Sequence, residues 1–109
     1  MTDDRGITIE DACLACADAC ERCVRVCLSG EAASRPFDCR DHCTDCAELC
    51  RLAVSFRSRH SGFSTQIFQQ CARVCAACAS ACRSNDDELC RACVQACEAC
   101  VRGCSHTAC

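Results

Sequence analysis

The chain has 109 residues, half of them apolar, and a net charge of −3 from 12 arginines set against 15 acids. That length fits one domain covering 1–109. The scattered arginines make no basic stripe for nucleic acid, and no apolar run approaches the roughly 20 residues that cross a bilayer. With no Trp, no Tyr, one Met and four Phe beside 19 Cys, cysteine has to be the main core material.

The opening stretch, MTDDRGITIEDAC, begins with acids and shows no signal h-region, twin-arginine start or cleavage site, so the expected compartment is the cytoplasm. Thr8 with Asp11 predicts the start of a first helix. Its cysteines, Cys13, Cys16, Cys20, Cys23 and Cys27, alternate by three and four and share one face. Gly30 should stop it. Pro36 suits the first turn of a second helix, with Cys39, Cys43, Cys46 and Cys50 in its seam and Gly62 at its stop. Ser61 to Thr65 offer N-cap side chains for a third helix carrying Cys71, Cys75, Cys78 and Cys82. Asn85 with Glu88 reads as a capping box for a fourth, carrying Cys90, Cys93, Cys97, Cys100 and Cys104. Cys109 stands outside the four seams. The short connections favour antiparallel neighbours. The expected fold is therefore all-α, an antiparallel up-down-up-down four-helix bundle with a cysteine-lined core, each helix roughly 20 residues and about 30 Å long.

Antiparallel alignment predicts layers. The first is Cys27, Cys39, Cys82 and Cys90, then Cys23, Cys43, Cys78 and Cys93, then Cys20, Cys46, Cys75 and Cys97, then Cys16, Cys50, Cys71 and Cys100. A fifth sets Cys13 and Cys104 against Ala53 and Phe68, and Ile7, Ile9, Phe56, Phe63 and Ile67 gather beyond as an apolar plug. The Cys27 end, with Asp38, Asp86 and Asp87, is then the mouth.

A buried free thiol is ordinarily a small hydrophobe. Writing Cys for Leu throughout four seams forgoes roughly 1 kcal/mol of burial per site, which a small bundle does not tolerate repeatedly without a function. Disulfides fit an odd cysteine total and a reducing compartment poorly, and bridges within one helix would strain the backbone. Metal ligation fits the spacing: the chain has six CxxC and eight CxxxC pairs in phase, and positions three or four apart hold their Cβ atoms about 5–6 Å from each other. Charge selects the metal. One Cu(I) per thiolate leaves the core neutral, whereas Zn(II) in separate four-thiolate sites leaves −2 per site, roughly, in a medium that penalises charge. No run of ferredoxin spacing occurs, the CxxC pairs follow no strand as in thioredoxin-like catalysts, and no nucleophile–base set presents itself.

The blocks CLACADACERCVRVC, CRDHCTDCAELC, CARVCAACASAC and CRACVQACEACVRGC resemble the cytosolic copper storage proteins, four-helix bundles lined with Cu(I)-binding cysteines. The resemblance implies copper storage or sequestration rather than enzymatic turnover, many Cu(I) ions as cargo, and a homotetramer. A copper chaperone or small-thiol donor would be the source of metal. The candidate ligands are the 18 cysteines of the four seams together with Cys109, all 19 in the chain. The competing functions are a metallothionein-like zinc or cadmium sink and a thiol-based redox buffer. Exported relatives collect copper through methionines, but this chain has only Met1, so loading begins at thiols or carboxylates. Off-seam Leu14, Val26, Leu28, Leu49, Leu52, Val94 and Val101 are the residues available to an oligomer interface or to packing between helices.

Of the histidines, His60 falls on the second seam, His106 one step off the fourth near Cys109, and His42 on a flank beside Cys43. All three are surface candidates as well as ligand candidates. Arg57 on its seam marks the far end as reaching water. Asp18/Arg22 and Glu21/Arg25 are expected i, i+4 surface pairs.

Overall fold

The computed structural model describes residues 8–27, 37–85 and 88–107, with side chains described over 8–25, 39–85 and 88–105. Four helices result: α1 (Ile9–Cys27), α2 (Phe37–Ser58), α3 (Ser64–Cys82) and α4 (Glu88–Thr107). Each packs on two neighbours, in the order α1–α2–α3–α4 with α4 closing back on α1. Cysteine sulfurs meet in opposite chain directions across each contact, Cys23 with Cys39 and Cys16 with Cys46, Cys50 with Cys71 and Cys39 with Cys82. The bundle is therefore antiparallel, as the seams predict.

The axial register of α1 differs from the expected one. Cys23, not Cys27, is level with Cys39 and Cys90, at 3.7 and 3.5 Å between sulfurs. Cys20 meets Cys93 and Cys78, Cys16 meets Cys46, Cys97 and Cys75, and Cys13 meets Cys100. The layers are thus Cys23/39/82/90, Cys20/43/78/93, Cys16/46/75/97 and Cys13/50/71/100. A seam repeating by three and four fits its neighbours equally well after sliding one step, so the cysteines alone do not set the register. The end residues do. Ile9 is buried, as are Ala53, Phe68 and Cys104, and its Cδ1 occupies a notch at Gly103 so close that a Cβ there would lie 2.5 Å away. Buried alanines off the seams, Ala17, Ala47 and Ala79, let the helices approach closely between the layers.

The helix ends obey local chemistry with two corrections. Thr8 caps α1 as predicted, its Oγ1 accepting the Asp11 N–H at 3.1 Å. At the end of α2 the stop is His60 rather than Gly62. His60 takes φ 55°, its N–H reaches the Arg57 carbonyl at 3.0 Å, and the Ser61 N–H reaches the Phe56 carbonyl at 2.9 Å. That pair of bonds is a Schellman ending, and a non-glycine left-handed residue in it costs roughly 1–2 kcal/mol. The second correction is at α3, which begins after Phe63 with no side-chain cap; the Ser61 hydroxyl instead accepts the Phe63 N–H at 3.1 Å. Asn85 is wound onto the end of α3, its N–H donating to the Cys82 carbonyl. The predicted capping box runs into 86–87, outside the described residues, as do Gly30 and Pro36.

Candidate metal centre

The seams put every described cysteine inside. Cys13, Cys16, Cys20, Cys23, Cys39, Cys43, Cys46, Cys50, Cys71, Cys75, Cys78, Cys82, Cys90, Cys93, Cys97, Cys100 and Cys104 are all 0% exposed and all free thiols. Neighbouring sulfurs from different helices stand 3.2–4.0 Å apart, from Cys39–Cys82 at 3.2 Å and Cys46–Cys75 at 3.3 Å to Cys46–Cys97 at 4.0 Å. These are contacts between unbonded atoms, well beyond the ~2.05 Å of a disulfide. Among the described residues no sulfur is bridged covalently to another. Diagonal helices also touch through sulfur, Cys16 with Cys75 at 3.9 Å and Cys43 with Cys93 at 3.7 Å, so the thiols form one continuous column on the axis.

Within that column the sulfurs fall into groups of four whose members all lie within 4.8 Å of one another. Four such groups share no residue: Cys13/71/100/104, Cys16/46/50/75, Cys20/78/93/97 and Cys23/39/43/82. Together they use every described cysteine except Cys90, which touches Cys23. Each group draws on three helices, and α1 and α3 take part in all four. A single helix could supply CxxC or CxxxC pairs; closing a group of four needs the bundle.

Among the described residues no polar or charged side chain is buried, so no arginine enters the column to balance thiolate charge. The thiols instead shift one another's proton affinity through S–H···S hydrogen bonds. The Cys13 thiol is lowered to about 5, chiefly by its hydrogen bond with Cys100, with Cys104 and Cys50 acting the same way. Cys16 pushes the Cys46 thiol up, but Cys20, Cys50 and Cys75 outweigh it and leave Cys46 lowered to about 7. The donors move the other way: Cys20 is pushed up by Cys16, and Cys100 by Cys104. Alternation follows because a thiolate is stabilised by S–H donors, and a thiol that donates to a thiolate is held protonated. Buried without counter-ions, the column as a whole keeps its protons until a cation replaces them.

Other predicted residues fall as follows. Cys27 lies in the last turn of α1 and His106 near the end of α4, but their side chains, like those of Val26, Asp38 and Thr107, are outside the description. Ile7, Leu28, Asp86, Asp87 and Cys109 are outside the described residues altogether. His60 does not lie on a seam; it follows the end of α2 and is exposed, while His42 is half-buried on its flank. In the predicted plug, Phe68 and Ile9 are buried and Phe56 and Ile67 half-buried, but Phe63 is 64% exposed. Asp18 pairs with Arg22 at 3.0 Å as expected. Glu21 does not pair with Arg25; it reaches across to Arg51 on α2 at 2.6 Å, because a side chain on the α1 flank faces its neighbour helix as readily as its own next turn. Arg83–Glu98 and Arg57–Glu10 likewise tie α3 to α4 and α2 to α1. None of the three was legible from i, i+4 spacing.

A column of free thiols inside four helices is what the family comparison bears on, and residues 3–109 match the sequence model of the copper storage proteins, Csp. The chain belongs to the copper storage protein family. Copper storage is its function, with many Cu(I) ions as cargo; the family is one of storage, not catalysis. The Cu(I)-bound copper storage protein BsCsp3 superposes with a TM-score of 0.89 at 33% identity, over 93% of this chain and 95% of that one. A cytosolic copper storage protein from Streptomyces lividans, carrying five coppers, superposes at 0.86 and 34% identity over 92% and 88%. In sequence, the uncharacterized cysteine-rich protein YhjQ of Bacillus subtilis (strain 168) is 34% identical over 98 residues, 90% of this chain and 91% of its own. Neither the zinc or cadmium sink nor the redox buffer finds support in these comparisons. No helix among the described residues is long and apolar enough to cross a membrane.

Proposed function

We propose that residues 1–109 act as one storage unit in the cytoplasm, and that the Cu(I) ligands are the described seam cysteines together with Cys27 and Cys109. The observation that carries the ligand set is the division of the column into four groups of four sulfurs, without sharing, each within 4.8 Å. With metal–sulfur bonds near ~2.3 Å, three sulfurs around one ion stand about 4.0 Å apart and two in line about 4.6 Å. The metal-free contacts of 3.2–4.0 Å sit just inside those values, so ions enter with sulfur shifts below about 1 Å and without rearranging helices. Each arriving Cu(I) displaces a proton from one thiol, and the column stays neutral as it fills.

The unit performs no catalytic turnover in this reading, and it takes copper from a chaperone or a small-thiol complex. It assembles as a homotetramer. Leu14 at 47% and Leu52 at 42% exposure are the apolar residues that support an interface; Leu49, Val94 and Val101 are instead packed partly against the core and contribute little to one.

Anaerobic titration tests the reading. Cu(I) is expected to bind until close to one ion per thiol is taken up, with one proton released per ion at pH values where the thiols are protonated. Saturation after one or two ions per chain would refute storage. Mass measured in solution, before and after loading, decides the tetramer.

A further inference from the structure

The sulfur contacts of the column are uneven. Cys39 and Cys82 stand 3.2 Å apart and Cys46 and Cys75 3.3 Å, whereas Cys23–Cys90 is 3.5 Å and other contacts open out to 4.0 Å. Both close pairs join α2 to α3. Cys39 is the third residue of α2 and Cys82 the last of α3, so their pair lies where the 59–63 connection does not join the two helices and where terminal turns open most readily. Each close pair also falls inside a single metal group, Cys39 and Cys82 in Cys23/39/43/82, and Cys46 and Cys75 in Cys16/46/50/75. The other two groups, Cys13/71/100/104 and Cys20/78/93/97, take no residue from α2.

We propose that Cys39–Cys82, and after it Cys46–Cys75, are sites of reversible disulfide formation in the metal-free protein with peroxide as oxidant, and that these bridges withdraw the two α2-based groups from copper while the two α4-based groups stay open to it. The inference rests on the storage reading and adds a regulation to it. All four thiols are free and fully buried, so the oxidant has to be small. Hydrogen peroxide oxidises one thiol to a sulfenic acid and leaves as water; the facing thiol then displaces a second water as the S–S bond forms. Two thiols lose two electrons and two protons, and one peroxide becomes two waters. To reach the ~2.05 Å of a disulfide, the Cys39 and Cys82 sulfurs approach by about 1.2 Å in all, which rotation of two side chains about χ1 supplies. Cys46–Cys97 at 4.0 Å would need about 2 Å. Pairs one turn apart on a single helix, such as Cys71 and Cys75 at 3.9 Å, have nearly parallel Cα–Cβ bonds and do not close. Bound Cu(I) holds the same sulfurs about 4.0–4.6 Å apart and occupies their lone pairs, so copper and oxidation exclude each other.

The test uses the full metal-free chain, kept anaerobic, treated with about two equivalents of hydrogen peroxide and then alkylated in denaturant. Cu(I) titration and circular dichroism run in parallel on protein that has not been alkylated. Tandem mass spectrometry of linked peptides should find bridges at Cys39–Cys82 and Cys46–Cys75, with the helical signal kept. Copper capacity should fall by at least about four Cu(I) per chain, one for each thiol consumed, and return after dithiothreitol. Copper-loaded protein given the same peroxide should form neither bridge. Cys82→Ser, which leaves Cys46 and Cys75 in place, should form the second bridge alone. Bridges spread over other pairs, two bridges in C82S, no bridge at all, or a capacity unchanged by oxidation would overturn the proposal and leave storage standing. Low copper capacity in the reduced wild type would overturn storage itself.

Discussion

Filling the column should turn a modest bundle into a very stable one, and the structure sets the size of the effect. Each of the four sulfur groups draws on three helices, so a bound ion cross-links the tertiary structure and favours the folded state by mass action. At free copper a thousandfold above the dissociation constant, one filled site contributes about 4.1 kcal/mol, and four independent groups about 16 kcal/mol. The unfolded chain competes, because its CxxC pairs also take Cu(I). If it recovers three quarters of that energy, about 4 kcal/mol remains, and a domain of this size gains about 4–8 °C in melting temperature per kcal/mol. Thermal unfolding followed by circular dichroism should therefore place the loaded protein at least about 16 °C above the metal-free one. Partial loading should give intermediate values, since groups containing α2 and groups containing α4 are different groups. Melting temperatures within a few degrees of each other would mean that copper binds thiols without joining helices, and the account of the column would fail.

Cys46→Ser removes a sulfur that touches Cys75 at 3.3 Å and Cys16 at 3.6 Å; titration should end about one Cu(I) per chain earlier, because a hydroxyl is too hard a ligand for Cu(I), while the helical signal persists. Phe68→Ala deletes the largest fully buried side chain among the described residues and should cost about 3–5 kcal/mol in denaturant unfolding of the metal-free protein. The pH dependence of metal-free stability has two sides. Cys13, held at about 5 against an unfolded value near ~8.5, adds stability that is full above ~8.5 and is lost as pH falls to about 5. Cys20 and Cys100, pushed up, add stability that is full below ~8.5 and is lost as pH rises further. Melting temperature should accordingly climb from about pH 5, be highest near ~8.5 and fall above it; a monotonic rise into alkali would contradict the raised thiols.

The cysteine seams made the fold and the lining of the site readable, because a three–four repeat admits one helical face and four such faces have only one another to bury against. What they could not carry was position along the axis. Cys16 meets Cys46, Cys75 and Cys97, one step from the layer expected, because a repeated thiol looks the same to its neighbours after each step. Register was decided by residues with unlike neighbours, Ile9 and Gly103, and a missing side chain beside a cysteine seam is the signal that could have located it. His60 was misplaced for a related reason. It lies in phase with the α2 seam, yet the Schellman bonds to Arg57 and Phe56 end the helix first, and periodicity holds no information about where a helix stops.

A core of thiols is a compromise between holding the empty bundle together and leaving it able to fill. Leucines would bury more apolar area per site but would occupy the axis. Sulfur is smaller and leaves unbonded contacts of 3.2–4.0 Å, which widen slightly to admit an ion. The deficit is met outside the column. Ala17, Ala47 and Ala79 bring the helices close, Val24, Leu49, Val54, Ile67, Val74, Val94 and Val101 pack around the seams, and Phe68 with Ile9 anchors one end. Apolar packing that holds the empty fold is thus placed where metal does not go, so copper can leave without taking the structure with it. Metal-free protein should accordingly keep its helical circular dichroism, whereas substituting Phe68 should weaken the empty bundle while leaving copper capacity unchanged. Loss of helicity on removing copper from the wild type would show that the ions, rather than this surrounding shell, hold the helices together.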